Sequence, residues 1–257
     1  MATVASWNVN SLRVRMPHLA TWLETAGPDV LGLQETKLVD EVFPCEALNA
    51  LGYHCVMSGQ KTYNGVALVS REPLTDVVTE FTDQDDPQRR LIAATCAGVR
   101  YVNVYVPNGQ AVGSEKYEYK LRWLRSLRRF LEKELAAHPR LVVMGDFNIA
   151  PDDRDVHDPV LWKDQILCSE AEREALRLLL ELGLADSLRL HDQPAGLFSW
   201  WDYRAAGFRR NLGLRIDLLL ASRELAPACD AAWIDLAPRR LERPSDHAPV
   251  IARFGIE

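Results

Sequence analysis

The 257-residue chain has no C-x-x-C pair, and its cysteines, Cys45, Cys55, Cys96, Cys168 and Cys229, are odd in number. Both facts speak against a disulfide framework or a zinc ribbon and fit a reducing compartment. No apolar run approaches the length of a membrane span. The opening MATVASWNVN lacks a basic stretch followed by an apolar one, so no signal peptide is expected. These absences lead to the expectation of a soluble, cytoplasmic protein. There is no surplus of positive charge either: the formal net charge is −6. That disfavours a general nucleic-acid coat protein. It leaves room for an enzyme acting on DNA, because a metal site needs carboxylates and only one face must be basic. No repeat of fixed period, low-complexity tract or linker interrupts the chain, so one domain over 1–257 is the simplest organisation.

Hydrophobic residues make up 47% of the chain and charged residues 26%, enough for a large core. Short apolar runs predict strands over Thr3–Val9, Asp29–Gln34, Gly65–Ser70, Leu91–Cys96, Val99–Val106, Leu141–Met144, Ile216–Ala221 and Val250–Phe254. Helical spacing predicts helices over Pro17–Ala26, Glu115–Ala136 and Ser169–Leu182, the last opened by a Ser169/Glu172 capping box. Strands outnumber helices, and several strand-to-strand links are too short for a crossover helix. Two mixed sheets packed face to face, with helices outside, would bury all of these runs.

The polar residues that chemistry requires recur where apolar strands stop. Asn8 and Asn10 end the first strand, Glu35 the second, Tyr105 and Asn108 another, and Asp146 with Asn148 follow LVVM. Asp246 and His247 precede the last strand. A lone Asp or Asn at such a place is usually a turn former. Asp217 is different, since it stands inside RIDLLLAS and a buried carboxylate must find a partner. As a set, the acids, amides and one histidine form a candidate site on rigid supports. Carboxylate and amide oxygens are the hard ligands that Mg²⁺ or Mn²⁺ prefer. Phosphodiester hydrolysis needs such a metal, an activated water and stabilisation of developing charge.

The ordered segments WNVNSLR, LQETK, YNGVALVS, YVPNG, GDFN, FSWWDYR, GLRIDLLLAS and PSDHAPV run from residue 7 to residue 250. In this order they resemble exonuclease III and the related apurinic/apyrimidinic (AP) endonucleases. The resemblance implies an α/β DNase I-like four-layer sandwich, two mixed β-sheets between helices, and a metal-dependent phosphodiesterase of DNA repair. It implies that Glu35 is the main metal ligand, helped by Asn8, Asn10 and Asp246. Some members carry Asp at the position of Asn10, so weaker metal binding is expected here. It further implies that Asp146 activates water, that Asn148 orients it, and that His247, paired with Asp217, donates to the scissile phosphate. Tyr105 would be a phosphate contact or proton source. A second metal, where present, would lie near Asp146, Asn148 and His247.

For the DNA face, the expected contacts are Lys61, Tyr63, Asn64, Arg89, Arg90, Asn108, Lys116, Lys120, Trp200 and Arg204, basic and aromatic groups interleaved in loops or at a helix start. Arg122, Arg125, Arg128 and Arg129 are read as a solvated helix face. Trp200, Leu214 and Ile216 match the family's pocket for a flipped abasic sugar, although Ile216 suits ordinary core equally well. Leu167 falls where members with strong AP endonuclease activity tend to carry a small residue, so it would narrow that pocket. The expected substrate is double-stranded DNA with 3′ ends, nicks or abasic sites. The expected activities are 3′→5′ exonuclease and 3′-phosphatase, with weaker cleavage at abasic sites, carried out by a monomer that makes no membrane contact. The alternative is a fold-sharing inositol or lipid phosphatase; FSWWDYR and YVPNG speak for the DNA branch.

Overall fold

The computed structural model describes residues 1–82 and 86–255. In chain order its strands are β1 (Ala2–Asn8), β2 (Val30–Gln34), β3 (His54–Ser58), β4 (Val66–Ser70), β5 (Thr75–Val78), β6 (Leu91–Cys96), β7 (Val99–Tyr105), β8 (Leu141–Asp146), β9 (Leu184–Asp186), β10 (Trp200–Trp201), β11 (Gly213–Leu214), β12 (Asp217–Ser222), β13 (Cys229–Ile234) and β14 (Val250–Phe254). The α-helices are α1 (Leu12–Ala26), α2 (Cys45–Ala50), α3 (Glu115–Ala137), α4 (Pro159–Trp162) and α5 (Glu170–Leu180).

Two six-stranded sheets carry the fold, in the orders β13-β14-β1-β2-β4-β3 and β5-β6-β7-β8-β12-β9. Each has one parallel pair near its centre, β1 with β2 and β7 with β8, among antiparallel neighbours. The sheets pack face to face through β1, β2 and β4 against β6, β7 and β8. Val4, Leu68, Ile92, Tyr101, Val142 and Met144 fill the space between them. The outer face of the first sheet is covered by α1 and α2, through Leu19, Trp22, Leu23 and Leu48. The outer face of the second is covered by α3 and α5, through Trp123, Leu124, Leu127, Leu176 and Leu179. This is the expected four-layer α/β sandwich, and no described helix is long and apolar enough to cross a membrane.

The Ser169/Glu172 capping box forms as its residues predict. Helix α1 begins five residues before the expected start, and Pro17 lies inside it. Pro17 is exposed. The Arg13 carbonyl, which lacks its usual helical donor there, is thus on a face where water can supply one. Strands β3, β5, β9, β10, β11 and β13, and helices α2 and α4, have no counterpart among the predicted elements. β3 and β5 are edge strands with mixed exposure, and their runs lack the continuous apolar character of a central strand.

One buried charge cluster holds the second sheet to the loops beside it. Arg215 donates to Asp155 at 2.6 Å and to Asp186 at 2.7 Å, and Arg189 also pairs with Asp155. Burial pushes the Asp155 carboxyl up, but the two arginines outweigh it and hold the group below the ordinary carboxylate range. A depressed folded pKa means stability that is present above the unfolded value, near 3.9, and lost as pH falls through the folded value. Replacing Asp155 with Asn is expected to cost about 3–5 kcal/mol at neutral pH, because buried arginine charge loses its partner. Urea unfolding of both proteins checks this. Their difference should shrink below about pH 4, and a difference independent of pH would contradict the ion-pair account.

Candidate active site

The site forms where the ends of the two parallel pairs meet across the sandwich. Register places Tyr105 opposite Asp146 across β7–β8, and Asp146 opposite Asp217 across β8–β12. Three functional groups therefore lie side by side on adjacent strands of one sheet. From the other sheet, Asn8 stands opposite Gln34 at the end of β1–β2, with Glu35 the next residue.

Asn8 joins the sheets. Its Nδ2 donates at 2.9 Å to Glu35 Oε1 and at 2.9 Å to Asp146 Oδ2. The other oxygen of Asp146 accepts the Asn148 amide N–H at 2.9 Å. Both oxygens of Asp146 are thus held by donors. His247 sits on the far side, with Nδ1 2.9 Å from Asp217 Oδ2 and Nε2 3.8 Å from Asp146 Oδ2. Ser199 fixes Asp217 in turn: its hydroxyl donates at 2.6 Å to Asp217 Oδ2 while accepting the Ile216 and Asp217 amides.

The electrostatics follow from burial of these charges together. Burial pushes the Asp146 carboxyl up to about 7, with Asp217 adding to the rise and His247 opposing it. Burial alone would lower the His247 imidazole, but Asp217 and Asp146 outweigh it and lift it to about 10. At neutral pH His247 is a cationic donor beside a carboxylate poised to take a proton. The Tyr105 phenol is raised well above its ordinary value by burial and by Glu35, so it stays a hydrogen-bond donor.

Among the described residues, Glu35, Asp146 and His247 form a group whose ligand atoms all lie within 4.8 Å of one another. The donor set, two carboxylates with amide oxygens close by, suits a hard divalent cation. Asp246 stands outside that group, its carboxylate occupied by Asn10 Nδ2 at 2.9 Å and by Trp200 Nε1 at 3.0 Å. Lys37 had no role in the sequence reading. Its ammonium lies 3.0 Å from Glu35 Oε2 and 2.6 Å from Asn10 Oδ1, so positive charge is already stabilised on this edge of the site. The backbone is unusual here too: Asn10, Glu35, Lys37 and Asn148 all have φ between 43° and 56°. Asn tolerates that left-handed region; Glu and Lys reach it at some cost.

The candidate DNA contacts divide. Tyr63, Asn64, Arg90, Asn108 and Lys116 line one open cleft of about 640 Å³. Asn108 donates at 3.2 Å to Asn148 Oδ1, which ties the cleft to the site. Lys61 is exposed nearby in the chain. Arg89 pairs with Glu80, and Arg204 with Asp202, both at the surface. Lys120 is corrected: it is fully buried and cannot reach DNA. Its ammonium donates to Asn108 O, Asn148 O and Glu172 Oε1 at 3.1, 2.6 and 2.5 Å, linking two site loops to α5. The sequence carried a signal for this. Lys120 falls on the apolar stripe Tyr117, Leu124, Leu127, Leu131 of α3, and Glu172 on the stripe Leu176, Leu179 of α5.

The four pocket residues do meet. Leu167, Leu214, Ile216 and Trp200 share one apolar cluster with Ala150, Val156 and Cys168. Leu214 and Ile216 are fully packed core, however, and only Trp200 keeps an exposed surface. Leu167 is buried at φ 73°, a left-handed conformation that disfavours a branched side chain.

Comparison with known proteins agrees with this geometry. The sequence profile of the endonuclease/exonuclease/phosphatase family matches residues 5–247. The chain is 39% identical over 262 residues to exodeoxyribonuclease III of Haemophilus influenzae, covering 97% of this chain and 98% of that one. It superposes with a TM-score of 0.98 and 50% identity, over all of both chains, on NExo, a 3′ phosphatase from Neisseria bound to product DNA hairpin. With an AP endonuclease from Archaeoglobus fulgidus the TM-score is 0.95 and the identity 40%, again over all of both chains.

Proposed function

Since the chain belongs to the endonuclease/exonuclease/phosphatase family, in its exodeoxyribonuclease III group, we propose that it is a DNA repair nuclease that removes 3′ phosphates and 3′ nucleotides from duplex DNA, with Mg²⁺ or Mn²⁺ as cofactor. The observation that carries this is the Asp217–His247–Asp146 array, held beside Glu35 and joined through Asn148 and Asn108 to a cleft lined by Tyr63, Arg90 and Lys116.

In this reading Glu35, with help from Asn8 and Asn10, would hold the divalent cation, which would supply charge neutralisation at a phosphate oxygen. Asp146 takes the proton of the attacking water; its two oxygens are fixed by Asn8 and Asn148, so the accepting lone pair needs no reorganisation. His247 donates from Nε2 to the phosphate as negative charge grows there, and Asp217 keeps the ring charged and oriented through Nδ1. Tyr105 adds a second donor, a neutral one. The basic and aromatic cleft holds the duplex backbone.

The test compares a nicked duplex with a 3′ phosphate, a duplex with an internal abasic site, and an inositol phosphate, each with and without chelator. The nicked 3′ phosphate is expected to turn over fastest, with no release from the inositol phosphate. Preference for the inositol phosphate would overturn the reading.

Leu167 supports the ranking of the two DNA substrates. A flipped sugar needs space beside Trp200, and Leu167 is buried in the cluster to which Trp200 belongs. A terminal 3′ phosphate needs no such space. Leu167→Gly is expected to raise abasic cleavage selectively, by about tenfold if roughly 1.4 kcal/mol of crowding is removed. Glycine also relieves the left-handed strain at this position, offsetting part of the lost packing. The readout is the ratio of the two activities on one preparation; an unchanged ratio would make Leu167 a core residue only.

A further inference from the structure

Three of the cysteines, Cys96, Cys168 and Cys229, are buried. Cys45 and Cys55 differ from them: both are partly exposed, and their sulfurs lie 2.6 Å apart with the Cys55 thiol donating to Cys45. Cys45 is the first residue of α2 and Cys55 the second of β3. The turn between them is tightly held. Gly52 takes φ 82°, a conformation suited to glycine, and its N–H bonds to Asn49 O. Tyr53 bonds back to Leu48 O through its amide and to Pro28 O through its hydroxyl. The backbones carrying the two sulfurs are therefore fixed against each other. A disulfide needs its sulfurs about 2.05 Å apart, so small side-chain rotations suffice.

We propose that Cys45 and Cys55 are a modification site: they form a reversible intramolecular disulfide on meeting a small-molecule disulfide such as oxidised glutathione. The Cys45 sulfur, as thiolate, attacks one sulfur of the oxidant, forming a mixed disulfide and expelling one glutathione thiolate. The Cys55 thiol then loses its proton and attacks the Cys45 sulfur, expelling the second glutathione thiolate. Two protein thiols are oxidised and one glutathione disulfide is reduced to two thiols. Burial and the bond to Cys45 push the Cys55 thiol up to about 12, in keeping with its place as the second, resolving sulfur. The cross-link staples α2 to β3, an edge strand of the first sheet, just before the loop that carries Tyr63 and Asn64 to the cleft.

The experiment exposes the folded full-length chain to oxidised glutathione, quenches with an alkylating agent, and reads intact mass and a peptide map. The protein is expected to become lighter by two hydrogen atoms, with a linked Cys45–Cys55 peptide and with Cys96, Cys168 and Cys229 still alkylatable after unfolding. Dithiothreitol should restore the starting mass. The melting temperature should rise on oxidation of the wild type and not of Cys55→Ser, in which the link cannot form. A stable glutathione adduct on wild-type Cys45 or Cys55, a link between two chains, or five alkylatable thiols after exposure would each overturn the proposal. The wild-type measurements decide it even if the serine variant folds poorly.

Discussion

Asp146→Asn is expected to lower turnover by about 10²- to 10⁴-fold, the range for loss of a positioned general base, with duplex affinity nearly unchanged. The amide is the same size and keeps one carbonyl oxygen, so one of the two hydrogen bonds, from Asn8 or from the Asn148 N–H, persists and the packing changes little. What disappears is the group that burial has raised to about 7 and that can accept a proton from water. His247→Asn should act on the other half of the reaction. It removes a cationic donor aimed at growing negative charge, a loss of about 10²- to 10³-fold. It also leaves Asp217 buried without its charged partner, so some stability should go with it. Single-turnover rates and equilibrium binding of a 3′-phosphate duplex separate the two effects. If either variant loses binding in proportion to rate, the assigned roles fail.

Chelation should have the second large effect. EDTA is expected to reduce activity by at least about 100-fold, because a metal at phosphate contributes several kcal/mol of charge stabilisation. Mg²⁺ or Mn²⁺ should restore it. Glu35→Gln should weaken Mn²⁺ binding measured by calorimetry, a readout independent of turnover. Lys37 gives a further expectation. Its ammonium already sits on Glu35 and Asn10, so Lys37→Met should tighten Mn²⁺ binding by removing a competing charge. Full activity in chelator, or Mn²⁺ affinity indifferent to both changes, would remove the metal from the account.

Much of this site was legible because its residues sit beside strong local patterns. Glu35, Asp146 and His247 each adjoin an apolar strand that announces itself by composition, and Asp217 is conspicuous as a carboxylate within one. Lys120 was misread by neighbourhood: Tyr117 and Tyr119 just before it suggested a DNA face, while the helical period put the lysine inside. Arg89 and Arg204 were legible as surface cations, but not their pairing with Glu80 and Asp202. Those partners depend on where loops pass.

By itself the sequence determined the layers of the sandwich, the capping box at Ser169, and the strand ends from which the chemistry is built. These depend on periodicity and on interactions between residues a few positions apart, which composition records directly. The tertiary structure alone decided that Asn8 bridges Glu35 and Asp146, that Ser199 anchors Asp217, that Arg215 and Arg189 converge on Asp155, and that two cysteines nine residues short of adjacency touch. Each of those contacts joins groups on different elements. Its existence depends on strand register and sheet packing, free-energy minima of the whole chain that no local window contains.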